Sequence, residues 1–395
     1  MIDGALRVLI VHNRYVVPGG EEVVVAAEAA LLERNGHTVS CFESSNEAIF
    51  EMSAVRAASH AVWNRNSRAE LAQLKARFKP DVVHFHNTFP AMSPSVYYAG
   101  LEASTVVQTL HNFRLVCPAG TLLRAGKPCE LCVGRVAWPA VRYGCYRGSR
   151  SASLVAAAMV QTHRALGTWT RRVHAYIALT QFSREIFLRG GLPAEKLYIK
   201  PNFVAPDPGV STARAAHFLY VGRFEEGKGT RVLLDAWRSM TNPPPLRMVG
   251  SGPLEPEVVR FAEERAGVQL LGRLSRERVL EELKQARALV APSLWYENFP
   301  LTICEAMATG CPVIASDLPN VRALLGEGRA GVLVPARDAQ LLKQAVEHAV
   351  VDGDALRQVA RSARTLYETH YTADANYRML LAIYDSARRA RKVNA

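Results

Sequence analysis

Short apolar runs recur along the chain, separated by longer stretches in which apolar residues return every three or four positions. Leu6–Val11, His37–Phe42, Asp81–His86, Ser104–Leu110 and Ala175–Leu179 form a first set of runs. Strands of a parallel sheet read this way, because both faces of the sheet are covered. After the first run comes Gly19-Gly20, then a Val-, Ala- and Leu-rich segment from Glu21 to Arg34, closed by Asn35-Gly36. That order predicts strand, glycine turn, and helix with a glycine stop. A Pro/Gly-rich break spans Lys200-Pro-Asn-Phe-Val to Pro206-Asp-Pro-Gly209. The pattern then restarts, with strands expected at 217–221, 246–249, 268–271, 288–291 and 312–315, and helices at 230–240 and 255–266. Strands alternating with helices predict an α/β fold with parallel, doubly wound sheets. The restart predicts two such domains, an N-terminal one at 1–203 and a C-terminal one at 204–371. A helical pattern over 372–395, ending in Arg388-Arg-Ala-Arg-Lys392, predicts a last helix that packs back on the first domain.

Size agrees with this division. The chain has 395 residues, 49 % of them apolar, enough for two cores. No apolar run approaches the roughly 18–20 residues of a membrane-spanning helix. The N-terminus lacks a basic leader and reads straight into a strand, so a cytoplasmic location with reduced thiols is expected. The net charge of +12 is unevenly spread: residues 114–172 hold ten basic side chains and one acid, Glu130. Such a face attracts anionic lipid, phosphate or nucleic acid, or is a solvated surface with no specific partner.

Two stretches of the second half carry chemistry. In Tyr220-Val-Gly-Arg-Phe-Glu-Glu-Gly-Lys-Gly229, Gly222 and Arg223 follow a strand and Lys228 precedes a helix. Ligands of open α/β sheets bind at such carboxyl-end turns. Arg and Lys suit a diphosphate, and the glycines let backbone approach an anion. In Glu297-Asn-Phe-Pro-Leu-Thr-Ile-Cys-Glu305, Pro300 suits the first turn of a helix that stops at Gly310. Backbone N–H groups near Asn298–Thr302 would favour an anion. Glu297 and Glu305 suit hydroxyls or cations. Phosphates and hydroxyls together describe a nucleotide sugar. Val249-Gly-Ser-Gly-Pro253 is not a dinucleotide fingerprint, because Glu255 stands where a small residue is required.

With these residues the chain resembles the retaining glycosyltransferases of family 4 over nearly its whole length. Gly222–Gly229, Glu297-x7-Glu305, Val249–Pro253, Leu271-Gly-Arg273 and Gly19-Gly-Glu-Glu22 match that family's motifs. The resemblance implies the GT-B fold, two Rossmann-like doubly wound domains facing a central cleft. It implies a donor such as a UDP- or GDP-sugar. Arg223 and Lys228 would take the diphosphate, Glu305 the ribose and Glu297 the transferred sugar. Gly272, Arg273 and Leu274 would hold the base, and Asn298, Phe299 and Leu301 would line the pocket. Gly222 would admit the phosphates, Gly20 with Gly19 at a helix start would admit the diphosphate or the acceptor, and His111 would lie near the donor sugar. Arg223, Lys228, Glu297 and His111 are the expected catalytic set. No catalytic metal is implied, since the cations stabilise the leaving diphosphate. Surface polysaccharide or glycolipid assembly is the expected setting, with a lipid-linked acceptor, a peripheral position on an anionic inner membrane face, and no nucleic acid. A GT-B epimerase or phosphorylase, or a non-catalytic nucleotide-sugar-binding subunit, are the alternatives.

Some residues stand outside this pattern. Cys117, Cys129, Cys132 and Cys145, in an insert over about 114–150, have spacing that suits a structural zinc; unligated thiols or oxidised disulfides are the alternatives. Cys41, Cys304 and Cys311 read as core thiols. His84 and His86 share one strand face, and strand-end histidines of this kind are as readily structural as functional. Leu154–Val160, flanked by arginines, reads as a helix that either rests on a membrane or packs in the fold.

Overall fold

The computed structural model describes residues 4–16, 19–49, 52–211 and 214–393. The chain forms two compact units. The first comprises residues 1–122, 130–202 and 376–395, the second 123–129 and 203–375.

Eight strands precede residue 200: β1 (Arg7–Arg14), β2 (Thr38–Ser45), β3 (Val82–Asn87), β4 (Thr105–Leu110), β5 (Leu123–Arg124), β6 (Lys127–Pro128), β7 (Ala175–Ala178) and β8 (Leu197–Ile199). Six of them form the sheet of the first unit, in the order β2-β1-β3-β4-β7-β8. Every pair is parallel. β3 and β4 are buried at all six positions, which is why they read as unbroken runs. Strand order reverses between β1 and β3. One face of this sheet is covered by Val25 and Leu32 of the helix Gly20–Arg34 and by Leu380, Ile383, Tyr384 and Ala387 of the helix Ala373–Val393.

The insert has more structure than its sequence pattern implied. β5 and β6 are an antiparallel hairpin that groups with the second unit. The helix Trp138–Arg142 packs through Ala137, Ala140 and Val141 on Ala157 of the helix Arg150–Ala165. Among the described residues no helix is long and apolar enough to cross a membrane.

The second sheet contains β9 (Phe218–Val221), β10 (Leu246–Val249), β11 (Val268–Gly272), β12 (Ala288–Ala291), β13 (Val313–Ser316) and β14 (Val332–Val334). The order is β11-β10-β9-β12-β13-β14, again all parallel. Side chains alternate across it: Phe218 and Tyr220 join the core layer of Trp237, whereas Leu219 joins that of Ile303 and Met307. The order reverses between β9 and β12, where a doubly wound sheet opens a crevice at its carboxyl edge. The two edge strands β8 and β14, three residues each, have no counterpart among the expected runs.

Candidate active site

The turns that leave β9 and β12 flank this reversal, and they carry the two stretches singled out above. The Gly222 N–H donates to the Val249 carbonyl at 3.0 Å, and the Phe224 N–H to the Ser251 carbonyl at 2.9 Å. A Cβ at Gly250 would lie 1.9 Å from the Gly222 oxygen, and one at Gly252 2.5 Å from the Phe224 oxygen. The Gly-Ser-Gly stretch is therefore a backbone buttress under the turn that presents Arg223. Arg223 itself is exposed, its Nε 3.4 Å from the Glu225 carboxylate.

Lys228 is fixed by the glycine after it. Gly229 is left-handed, with φ of +70°, and a Cβ there would lie 1.8 Å from the Pro292 oxygen. The Leu294 N–H donates to the Gly227 carbonyl at 2.8 Å. These contacts hold the two turns together. The Lys228 ammonium pairs with one oxygen of Glu297, and the Ser293 hydroxyl donates to the other. The Asn320 amide donates to the Glu297 backbone carbonyl. Lys228 and Glu297, expected on diphosphate and sugar separately, thus meet each other.

The helix after Glu297 is Leu301–Ala308, so Pro300 is its cap residue and not its first residue. No side chain caps the first turn, which leaves backbone N–H groups for an anion. Glu305 lies on the second turn and is buried. Burial raises its pKa, and Arg276 opposes the rise. The Arg276 Nε donates to Glu305 at 3.0 Å and another guanidinium nitrogen donates to the Ala205 carbonyl at 2.9 Å. Arg276 was absent from the expected set, because no motif surrounds it and it stands 29 residues from its partner. Gly272 is left-handed, with φ of +64°, and its carbonyl accepts the Gly250 N–H at 2.8 Å. Arg273 beside it is exposed, while Leu274, Phe299 and Leu301 pack on the core and Asn298 is buried. Arg223, Lys228, Gly272, Arg273, Glu297 and Glu305 all belong to the second unit.

His111 and Gly20 belong to the first unit. His111 follows β4, and its Nε2 lies 2.8 Å from His86 Nδ1. Burial, reinforced by His12, pushes its pKa down to about 3, so the ring is neutral. His86 is buried against it. His84, also buried, has Tyr384 and Thr109 as partners at 2.8 Å each. Gly20 stands at the start of the helix Gly20–Arg34. It opens its helix behind a capping box in which Glu22 accepts the Gly19 N–H at 2.8 Å and the Tyr15 N–H at 2.9 Å. Glu21 and Glu22 both lie there, and a diphosphate would face their carboxyl groups.

The zinc expectation does not fit this arrangement. Among the described residues, the group whose candidate ligand atoms converge within 4.8 Å is Glu28, His84 and His86. Cys129 groups with the second unit and Cys117, Cys132 and Cys145 with the first. Cys132 and Cys145 share an apolar cluster with Ala137, Ala140 and Ala157. Cys304 and Cys311 are core thiols as expected, but Cys41 is exposed. It sits on β2, the sheet's edge strand, where alternate positions stay wet.

The fold is the GT-B fold, and two glycosyltransferase family models match adjoining parts of the chain. Residues 18–208 match Glycosyltransferase Family 4, and residues 215–352 match Glycosyl transferases group 1. A phosphatidyl-myo-inositol mannosyltransferase of Mycobacterium leprae is 29 % identical over 234 residues, 56 % of this chain and 61 % of the relative. The O-antigen chain mannosyltransferase C of Escherichia coli is 30 % identical over 161 residues, 40 % of this chain and 43 % of the relative. The alignments thus span about half the length of these curated relatives. Among solved structures, Anabaena HepE in complex with UDP and glucose has a TM-score of 0.66 at 16 % identity, covering 96 % of this chain and 99 % of that one. A glycosyltransferase from Rickettsia africae has a TM-score of 0.70 at 15 % identity, covering 98 % and 99 %.

Proposed function

We propose that the protein is a retaining glycosyltransferase that moves a sugar from a nucleoside diphosphate sugar to an acceptor in glycolipid or surface-polysaccharide assembly. The observation that carries this reading is the Lys228–Glu297 pair at the strand reversal of the second sheet, with Arg223 exposed beside it. The cations stabilise the departing diphosphate electrostatically, with no catalytic metal in the scheme. Glu297, released from Lys228, accepts from hydroxyls of the transferred sugar. Arg276 holds Glu305 toward the ribose. His111 is neutral and serves the donor sugar as a hydrogen-bond partner. The complex of HepE with UDP supports a nucleotide donor. The test is a panel of UDP- and GDP-sugars scored by thermal stabilisation and transfer. A ligand at a hundred times its Kd adds about 2.7 kcal/mol. Stabilisation that survives Arg223→Ala with Lys228→Ala would sink the diphosphate assignment.

The phosphatidyl-myo-inositol and O-antigen relatives support a lipid-linked acceptor. A feature of the first unit suits the same setting. Val136 and Trp138 are 68 % and 63 % exposed, and Leu131, Tyr143, Leu154 and Leu166 are exposed with them. Arg135, Arg142, Arg147 and Arg150 lie among them, and the one acid of this stretch, Glu130, is paired with Arg189 at 2.7 Å. Exposed aromatic and aliphatic side chains among arginines favour the surface of an anionic bilayer. Co-sedimentation with vesicles containing anionic phospholipid is expected to fall with salt and with Val136→Asp plus Trp138→Ser. No binding at low salt would end the membrane proposal.

A further inference from the structure

Behind His111 runs a buried chain of polar groups that the donor chemistry leaves unused. His111 Nε2 lies 2.8 Å from His86 Nδ1. On the far side of that ring, His86 Nε2 faces Glu28 Oε1 at 3.5 Å. Among the described residues, neither of those two facing atoms has a hydrogen-bond partner of good geometry, and the shortest ionic contact of Glu28 Oε1 is with His84. The second oxygen of Glu28 takes the Lys200 ammonium at 2.8 Å, and Lys200 also reaches the Asn376 side-chain oxygen at 3.2 Å. His84 Nδ1 stands 3.0 Å from Glu28 Oε1 and 2.8 Å from the Tyr384 hydroxyl. All these side chains except His111 are buried, and all belong to the first unit.

Charge decides how the protons lie. Burial would push the Glu28 carboxyl up, but Lys200, then His84, hold it well below the usual range, so it is an anion that only accepts. Burial, with His84 adding to it, keeps His86 neutral. A neutral imidazole has one N–H. A bare nitrogen facing a buried carboxylate would be repelled, so the proton of His86 sits on Nε2, toward Glu28. His86 Nδ1 is then a lone pair. The His111 nitrogen 2.8 Å away must carry a proton and donate it. His111 is neutral too, so its Nδ1 is bare.

Glu28, His84 and His86 would also offer two imidazoles and a carboxylate to a divalent ion. Lys200 argues against that occupant. Its ammonium already neutralises Glu28, and a divalent ion would leave two uncompensated positive charges in a buried site.

We infer that His86 and Glu28 are positioning residues that set the tautomer of His111, keeping Nε2 protonated and Nδ1 free to accept a hydrogen bond from a sugar hydroxyl. This rests on the proposed role of His111. The effect resembles the way a buried carboxylate fixes a catalytic histidine in hydrolases. The test uses the full-length protein labelled with 15N-histidine. The parent should show His111 protonated at Nε2 and bare at Nδ1 between pH 6 and 8. His86→Phe removes the acceptor, and should mix the two tautomers and lower kcat on the order of tenfold or more, with donor KM unchanged. His86→Asn supplies a side-chain oxygen near the Nδ1 position and should restore both readouts. A parent His111 protonated at Nδ1 overturns the inference, a result that needs no variant to fold. So does a His86→Phe protein with the parent tautomer, or a stoichiometric divalent ion that is lost in His84→Ala. Full transfer activity in His111→Ala would instead overturn the reading of His111 itself.

Discussion

Lys200–Glu28 in the first unit and Lys228–Glu297 in the second are lysine–glutamate pairs of opposite build. In Lys200–Glu28 each side chain is 1 % exposed, with His84 and Asn376 as further neighbours. In Lys228–Glu297 the side chains are 25 % and 13 % exposed, and the turns around them are held by glycines. A sealed pair cannot exchange partners without leaving a charge unpaired in a poor dielectric. An accessible pair can release its carboxylate to a hydroxyl and its ammonium to a phosphate at small cost, because water and ligand share the work. The same two residue types are therefore sealed in the first unit and, on the proposed reading, open to a ligand in the second.

Replacing each lysine should separate these roles most sharply. Lys200→Ala leaves Glu28 buried without its cation, at an expected cost of about 3–5 kcal/mol in urea unfolding. Replacing both members by apolar residues, Lys200→Met with Glu28→Leu, should recover most of that loss. Lys228→Ala should change stability by less than about 1 kcal/mol. Its effect belongs in sugar transfer, expected to fall about 100-fold. Equal stability losses for the two lysine variants would erase the distinction.

A smaller effect concerns pH. Burial holds His86 and His111 neutral, so both folded pKa values lie below the ordinary value of about 6.5. Below that pH the unfolded chain binds protons that the folded chain refuses, and stability falls as pH falls. Each such histidine contributes a slope of about 1.4 kcal/mol per pH unit. For His111 the window runs from about 6.5 down to about 3. In His111→Gln the stability slope between pH 6 and pH 4 should be shallower by about one proton. An unchanged slope would mean that the ring is charged in the folded state. The smallest test is thiol labelling of native protein: Cys41 should react, whereas Cys304 and Cys311 stay protected until unfolding.

Much of the fold was legible because parallel strands are apolar on both faces and leave unbroken runs. β8 and β14 escaped notice because three-residue edge strands bury too little to leave a pattern. The candidate donor residues stand out in the sequence because they sit in glycine-marked turns next to strands. Arg276 does not, since its meaning comes only from the buried carboxylate it meets. The surroundings of Gly20 are likewise a matter of contacts: Glu22, two residues on, takes the Gly19 N–H.

Local sequence thus determined two doubly wound domains and the turns at their carboxyl edges that carry cations and carboxylates, since periodicity and turn chemistry act over a few residues. Tertiary structure alone decided which glutamate meets which cation. Tyr384 reaches His84 across 300 positions and Lys200 reaches Glu28 across 172. A charge acquires its role from burial and partners, and these are set by how distant segments pack.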